Sequence, residues 1–364
     1  MDDWVRFGKE KIERETDPDK CRIRDAQSNR REPNKLEHGS HWRASTADGV
    51  KQIFQQQWWL SAASEGKHDE VVVRQADDVV ARLAFVADRT LGFRRLRMPA
   101  FTHVLGPDVP QGKGKPQTEL TRRLSLVRSL IDQLPQFDFF KVALDPSAAG
   151  GLANVDGLAF QEKGFRVSPQ YNYRIDSSVG LERVWEGMNF RTRQHIRRAQ
   201  ESCCVDAVQD PAEFVDFYVR NLAIGDRNAR FDLAHFVNIF AACEARKCGS
   251  ALVARSSDGS PLAMTFLVWD DASLYYLLSA RTPCGREGGA TSLLIWSAIK
   301  KAHELGLCFD FDGVATSGIA RFYAGFGGQI CNRLIVIGKT SAFSAAQYFK
   351  AVISGADRES SKFT

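Results

Sequence analysis

This sequence predicts two related α/β lobes in tandem, and three observations lead there. Its 364 residues exceed one ordinary domain and fit a length prior of about two. Hydrophobic residues make up 44% of the chain and charged residues 26%, so two cores of normal size can be filled. One order of elements then occurs twice: a hairpin, a further strand, a loop and an amphipathic helix.

In the first half, Ile53-Phe54-Gln55-Gln56-Gln57-Trp58-Trp59-Leu60 reads as a short aromatic-rich helix, with Trp58 and Trp59 suited to a core or a cleft wall. Val71-Val72-Val73, the turn residues Asp77-Asp78 and Val79 to Val86 predict a hairpin. Leu96-Arg97-Met98-Pro99 reads as a third extended segment, and a Gly/Pro/Lys loop follows from Gly106 to Pro116. Leu120, Leu124, Val127, Ile131 and Leu134 then share one helical face, stopped by Pro135.

The second half repeats this order. Ala251 to Arg255, the turn Asp258-Gly259 and Leu262 to Trp269 form a hairpin, and Leu274 to Leu278 a further strand. After a Gly-rich loop, a helix is expected from Thr291 to Leu305, closed by Gly306. Short matches recur in the same order. Phe137-Asp138-Phe139 follows the first helix and Phe309-Asp310-Phe311 the second. Gly157-Leu158-Ala159 precedes Gly164-Phe165 as Gly318-Ile319-Ala320 precedes Gly325-Phe326. Between the halves, Tyr171 to Asp176 reads as a strand and Leu181 to Gln200 as one strongly basic helix. Asp210-Pro211-Ala212-Glu213 reads as a capping box that opens another helix.

The expected divisions are a flexible charged extension over residues 1–46, lobes over 47–170 and 171–340, and a C-terminal helix with a polar tail over 341–364. Basic residues in the extension leave contact with RNA or membrane phosphates open. The net charge of +5 is spread along the chain and fits an anionic small-molecule ligand at least as well as nucleic acid, so no DNA partner is expected. No run of 18 apolar residues and no apolar signal core is present, which predicts no transmembrane helix and a cytoplasmic location. Eight cysteines show no zinc-like spacing and read as reduced thiols, with no metal expected.

Four segments carry a resemblance that spans roughly residues 51 to 338. They are Phe54 to Leu60, Met98-Pro99 through Leu105-Gly106-Pro107, and Arg191-Thr192-Arg193-Gln194-His195-Ile196-Arg197-Arg198-Ala199. The fourth joins Ala290 to Trp296, Phe309-Asp310-Phe311 and Arg321 to Gly328. This ordered set resembles the tandem GNAT acyltransferases, which include BioF2-like acetyltransferases and the Fem-type peptidoglycan aminoacyltransferases. The resemblance implies an α+β fold of two GNAT-like lobes, each a mixed twisted sheet flanked by helices.

It also implies an acyl-CoA donor site over Arg286, Gly288, Gly289, Ala290, Thr291 and Ser292, where a Gly-rich turn and a helix N-terminus gather a pyrophosphate. A merely flexible strand-to-helix loop is the alternative. In the basic helix, Arg191 and Arg193, with Arg197, stand as candidates to hold an anionic acceptor between the lobes, against a solvated face. His195 is expected at the surface. Asp310 and Asp312, at alternate positions of one strand, are placed to orient or deprotonate an amine, Asp312 ahead of Asp310. Capping or a structural salt bridge remains open for both. Tyr323 stands where Fem-type enzymes often carry a lysine. Its phenol can protonate a thiolate leaving group or simply pack, and the missing cation favours acetyl-CoA over aminoacyl-tRNA as donor. His103 either lines the acceptor cleft or is a hydrogen-bonded structural histidine. The first lobe has no matching donor loop and is expected to serve structure and the acceptor. The reading is an N-acyltransferase using direct attack on acetyl-CoA or another acyl-CoA, with a small-molecule amine, such as one on a sugar or nucleotide-sugar for envelope polysaccharide synthesis, as acceptor. tRNA enters only if the donor is of the Fem type; a non-catalytic binding module is the third possibility.

Overall fold

The computed structural model describes residues 52–112, 114–145, 153–222, 233–314 and 316–353. The extension over 1–46, Cys21 and the tail beyond 353 lie outside them. The first lobe runs β1 (His68–Gln75), β2 (Asp78–Thr90), β3 (Phe93–Arg97), α2 (Pro116–Asp132), β4 (Phe139–Ala143), α3 (Ala153–Glu162) and β5 (Arg166–Ile175), preceded by α1 (Gln57–Ala62). The second opens with α4 (Leu181–Gly187), α5 (Phe190–Ser202), β6 (Cys203–Val208), α6 (Pro211–Leu222) and α7 (Leu233–Arg246). It continues β7 (Gly249–Ser256), β8 (Pro261–Trp269), β9 (Ser273–Arg281), α8 (Pro283–Gly288), α9 (Ala290–Glu304), β10 (Cys308–Gly313), α10 (Ser317–Ala324) and β11 (Gln329–Lys339), and α11 (Ser341–Ile353) follows.

All eleven strands join one sheet in the order β1-β2-β3-β4-β11-β5-β10-β9-β8-β7-β6. In each lobe an antiparallel hairpin leads to a strand that pairs in parallel with the one after the long helix, β3 with β4 and β9 with β10. The last strand of each lobe then crosses over. β11 lies antiparallel against β4, and β5 lies antiparallel against β10. The two exchanged strands pair with each other over nine register positions, Gln329↔Arg174 to Ile337↔Arg166. The expected boundary at residue 170 therefore falls within β5.

Helices α2 and α3 cover one face of the first lobe through Leu96, Phe140, Val142 and Val336. Helices α5 and α9 cover the same face of the second through Tyr173, Phe309 and Phe311. On the opposite face, α6 and α7 cover the second lobe, and Ile53, Phe54 and Trp59 from the first lobe are buried in that same core. Burying each such aromatic stabilises the fold by roughly 1.5–3 kcal/mol. Trp59 Nε1 donates to Thr102 Oγ1 at 3.0 Å, and the Ile53 amide donates to Asp270 at 3.1 Å, so the aromatic helix ties the lobes together.

Four expectations need correction. The basic segment 181–200 is two helices, because Asn189 adopts an extended conformation and its side chain accepts from the Thr192 amide at 2.8 Å, restarting the helix as an N-cap. The loop before α9 contains helix α8, whose first turn is capped by the Thr282 hydroxyl. The Phe-Asp-Phe match is out of register: Asp138 precedes β4 and accepts from the Arg94 amide, whereas Asp310 is inside β10. The capping box forms by half. Asp210 accepts from the Ala212 amide at 2.8 Å, while Glu213 turns away to Arg255 on β7.

Because each lobe's sheet is completed by the other's last strand, chemical denaturation should give a single transition by both fluorescence and circular dichroism. Two separated transitions would show lobes that fold independently.

Candidate functional site

The site begins where two strands part. The parallel ladder between β9 and β10 runs from Ser273↔Cys308 to Tyr275↔Asp310 and stops. Beyond it β9 continues to Arg281 and β10 to Gly313, so their facing edges lack each other as partners. On its other edge β9 carries an extra residue, Leu277, where its register with β8 slips. The Leu277 carbonyl accepts from the His103 ring, which reaches in from the first lobe.

Asp310 and Asp312 both lie at this parting, and their roles divide. Asp310 is buried, and its carboxylate accepts from Asn172 Nδ2, Arg174 Nε and the Asp312 amide at 2.7, 2.7 and 2.8 Å. Those donors fasten β10 to β5 and hold Asp312 in place. The expected strict alternation fails at Asp312, which takes a left-handed φ of +70° beside a register shift between Asp310 and Gly313. That conformation costs an aspartate about 1 kcal/mol, which the hydrogen bond from its amide offsets. Asp310, expected as a catalytic carboxylate, thus has both carboxylate oxygens engaged by protein donors.

Asp312 Oδ1 accepts from Arg333 Nη1 at 2.8 Å, and Arg333 Nε donates to Gln170 at 2.6 Å. The same Asp312 oxygen lies 3.2 Å from His103 Nδ1. That nitrogen is buried and has no partner in hydrogen-bond geometry. With the other ring nitrogen donating to Leu277, Nδ1 presents a lone pair in the neutral ring, so two acceptors face one point across the lobes. Burial holds the His103 pKa below its ordinary value, and the Asp312 charge only partly offsets this. His103 is therefore neutral at pH 7 and available as a base.

Tyr323 lies one residue before the end of α10, packed on Phe311 at 5.0 Å and edge-on to Tyr276 at 6.5 Å. Burial raises its pKa well above the ordinary phenol value, and the charges of Tyr276 and Asp312 raise it further. The phenol stays protonated, as a general acid must.

The α8–α9 junction is built more tightly than the sequence suggests. A Cβ on Gly285 would overlap the Leu262 carbonyl, and one on Gly289 would lie 2.5 Å from the His195 carbonyl. Gly289 also has φ +83°. These two glycines serve close packing of α8 on β8 and of α9 on α5. Gly288 is the one with open space over it, and Arg286 is exposed in the last turn of α8. Ala290, Thr291 and Ser292 are buried, and the Thr291 hydroxyl has no protein partner.

Helix α5 packs against α9 and α8 rather than lying between the lobes. Arg193 Nη1 donates to the Glu186 carbonyl at 3.1 Å and Arg197 lies over Trp185 at 5.5 Å, so both are engaged with α4. Arg191 and Arg198 are exposed and close enough to His195 to lower its pKa, after burial itself. Both lie within about one helical turn of His195, whose carbonyl meets Gly289 at the start of α9. His195, expected at the surface, is half-buried against Gly289.

The matching place in the first lobe is filled by the lobe's own groups. Met98 Sδ accepts from the Ala143 amide between β3 and β4. Glu119, in the first turn of α2, accepts from the Gly112 and Gly114 amides at 2.7 and 3.2 Å, a carboxylate where a helix N-terminus attracts an anion. Arg123 and Asp156 pair in a buried two-point contact at 2.7 Å, and Arg123 also holds the Val109 carbonyl.

Residues 189–321 match the family described as Acetyltransferase (GNAT) domain. That match lies within the second lobe. Among curated proteins, none matches the chain in sequence. The solved structure of FemX has 13% identity and a TM-score of 0.58, covering 79% of this chain and 92% of FemX. The C-terminal domain of a putative lysylphosphatidylglycerol synthetase from Agrobacterium fabrum has 15% identity and a TM-score of 0.50, covering 84% and 95%. At these identities the likeness is one of fold, and it spans both lobes and not the GNAT domain alone.

Arg333, Gln170, Asn172 and Arg174 were missed by sequence reasoning. Their signal is the alternation of polar residues along β5 and an arginine beside the apolar run of β11, and it means little until the strands are known to be neighbours. Replacing Asp310 by Asn should destabilise the protein by about 3 kcal/mol in urea titrations, because Arg174 loses its buried partner. His103 should titrate below 6.5 by NMR, and lower still in D312N, since the Asp312 charge opposes the drop. Because the folded pKa is depressed, stability should fall as pH is lowered from about 6.5 through that value.

Proposed function

We propose that this protein is an N-acyltransferase that takes an acyl group, an acetyl group first among candidates, from coenzyme A. The observation that carries this reading is the parting of β9 and β10 beside Tyr323, with the Asp312–His103 pair on its far side. A thioester lying in the parting can place its carbonyl oxygen against amides of β9 that have no β10 partner, which stabilises the developing oxyanion. The acceptor amine donates to His103 Nδ1 and Asp312 Oδ1 and attacks the carbonyl carbon. A C–N bond forms and the amine proton passes to the His103–Asp312 pair. Collapse breaks the C–S bond, and the Tyr323 phenol protonates the departing thiolate.

On the donor side, exposed Arg286, the open surface at Gly288 and the start of the 15-residue α9 support a site for the coenzyme's pyrophosphate, with Arg191 and Arg198 adding positive charge. The buried Thr291 hydroxyl supplies a further donor there if the junction opens slightly. The acceptor in this reading is an amine of a sugar or nucleotide-sugar used in envelope polysaccharide synthesis. A second reading, an aminoacyl-tRNA donor of the Fem type, is favoured by the FemX likeness across both lobes. Tyr323 in place of a cation weighs against it. No helix among the described residues is long and apolar enough to cross a membrane.

Calorimetry with acetyl-CoA and with charged tRNA separates the two donors. Acetyl-CoA should bind and R286Q should weaken it about tenfold, a loss of about 1.4 kcal/mol. Binding of charged tRNA alone would support the Fem-type donor. With a competent amine, D312N should lower kcat by about 10²-fold or more and Y323F by about 10-fold. Unchanged turnover in both variants would remove these residues from the chemistry.

A further inference from the structure

On the face of the first lobe's sheet opposite α2 and α3, Ala84, Val86 and Ala143 are buried, but the row through Lys141 and Arg166 is exposed, and that part of the face is cationic. Helices α2 and α3 cover the other face, while α6 and α7 stop at the second lobe. On the open face the registers place Arg97, Lys141, Ile337 and Arg166 in one row across β3, β4, β11 and β5. Strands lie about 4.8 Å apart, so this row spans roughly 14 Å. Lys339 is one row further out, its ammonium over the Phe139 ring and donating to Gln347 of α11. Phe343 of α11 packs on Phe93 and Phe139 and bounds the face at that end.

Opposing charge is scarce there. Asp88 is occupied by Arg95 and Arg97 at 2.6 and 2.5 Å, and Asp312 by Arg333 at 2.8 Å. Lys141 and Arg166 form no ion pair with any described residue. Lys141 is a lysine in the middle of a strand whose burial is otherwise substantial, in the interior of an eleven-stranded sheet. Partial desolvation, then the nearby charges of Arg333 and Lys339, push its pKa below the ordinary lysine value. A bound anion would supply the counter-charge that no described residue gives Lys141.

We propose that this open face is an anion-binding platform, centred on Lys141 with Arg97, Arg166 and Lys339 around it, that takes a phosphate or diphosphate group. Its place relative to the chemistry gives it a role. Arg333, which holds Asp312, is four residues from Ile337 along β11, about 13 Å away. An acceptor bound by its phosphate on the Lys141 row would extend along the sheet to present an amine at Asp312 and His103. This role rests on the acyl-transfer reading; the binding itself does not. The acceptor class it selects is an amine carrying a phosphate or diphosphate about 13 Å away, held by the first lobe while the GNAT lobe holds the donor.

The test is calorimetric titration of inorganic pyrophosphate into the full chain as wild type, K141Q, R166Q and R286Q. Thermal melts confirm that each variant is folded; the replaced side chains at 141 and 166 are exposed. Pyrophosphate should bind the wild type at a site that weakens about tenfold in K141Q and several-fold in R166Q, and that site should persist in R286Q, which loses only the donor-side contact. Coincident titration curves for wild type and K141Q, or loss of all pyrophosphate binding in R286Q, would overturn the proposal and leave acyl transfer standing. If acetyl-CoA fails to bind while the Lys141 dependence holds, the donor reading falls and the platform remains. Displacement of pyrophosphate by sub-micromolar uncharged tRNA would overturn the small phosphorylated acceptor in favour of RNA.

Discussion

The antiparallel pairing of β5 with β11 is the contact on which the rest of the molecule depends. Each strand ends its own lobe in sequence but completes the sheet of the other. The exchange turns two half-sheets into one and fixes their relation by backbone hydrogen bonds instead of by a side-chain interface alone. It also decides what stands beside β10. With β5 there, Asn172 and Arg174 from the first lobe meet Asp310 from the second. With β11 next to β5, Gln170 and Arg333 meet across the seam. The buried charges at the centre of the site thus come from strands that do not belong to one lobe.

Those charges shape the backbone as well as the field. Asp310 spends its carboxylate on β5 and on the amide of Asp312, and the strand turns into a left-handed conformation that no regular β10 would adopt. The turn carries the Asp312 carboxylate towards His103 of the first lobe and Arg333 of β11. Electrostatics here works in series: one aspartate is neutralised to build the geometry, and the other stays half-exposed beside a neutral imidazole. The first lobe repeats the order of elements with its own groups at the corresponding places. Met98, Glu119 and the Arg123–Asp156 pair occupy with protein groups the places that the second lobe leaves open.

Much of the fold was legible in the sequence because it follows local rules. The hairpin turn around Asp77, the Pro135 stop after α2 and the Gly306 end of α9 are fixed by a few neighbouring residues. The helix break at Asn189 was missed because a charge-rich run conceals a cap whose value depends on the single Asn–Thr192 hydrogen bond. The strand exchange was not legible, since nothing in the composition of β5 or β11 names its partner. The site was half legible. Asp312, Tyr323 and His103 could be picked out, and the structure brings all three to one parting. Gly289 shows the limit of that reading, because glycines that admit a phosphate and glycines that admit a neighbouring backbone look alike in a sequence. The arginines of α5 misled for a related reason: helical spacing says which side chains share a face, but not what that face meets.

In the proposed reaction a thioester enters between β9 and β10 in the second lobe, and an amine meets it from the first. A crystal structure with a non-reactive acetyl-CoA thioether tests this most directly. The account predicts the carbonyl oxygen in the parting beyond Tyr275, the sulfur beside the Tyr323 hydroxyl, and the pyrophosphate next to Arg286 and Gly288. A donor bound against the first lobe, or one whose sulfur lies away from the parting with Tyr323 still packed on Phe311, would contradict it.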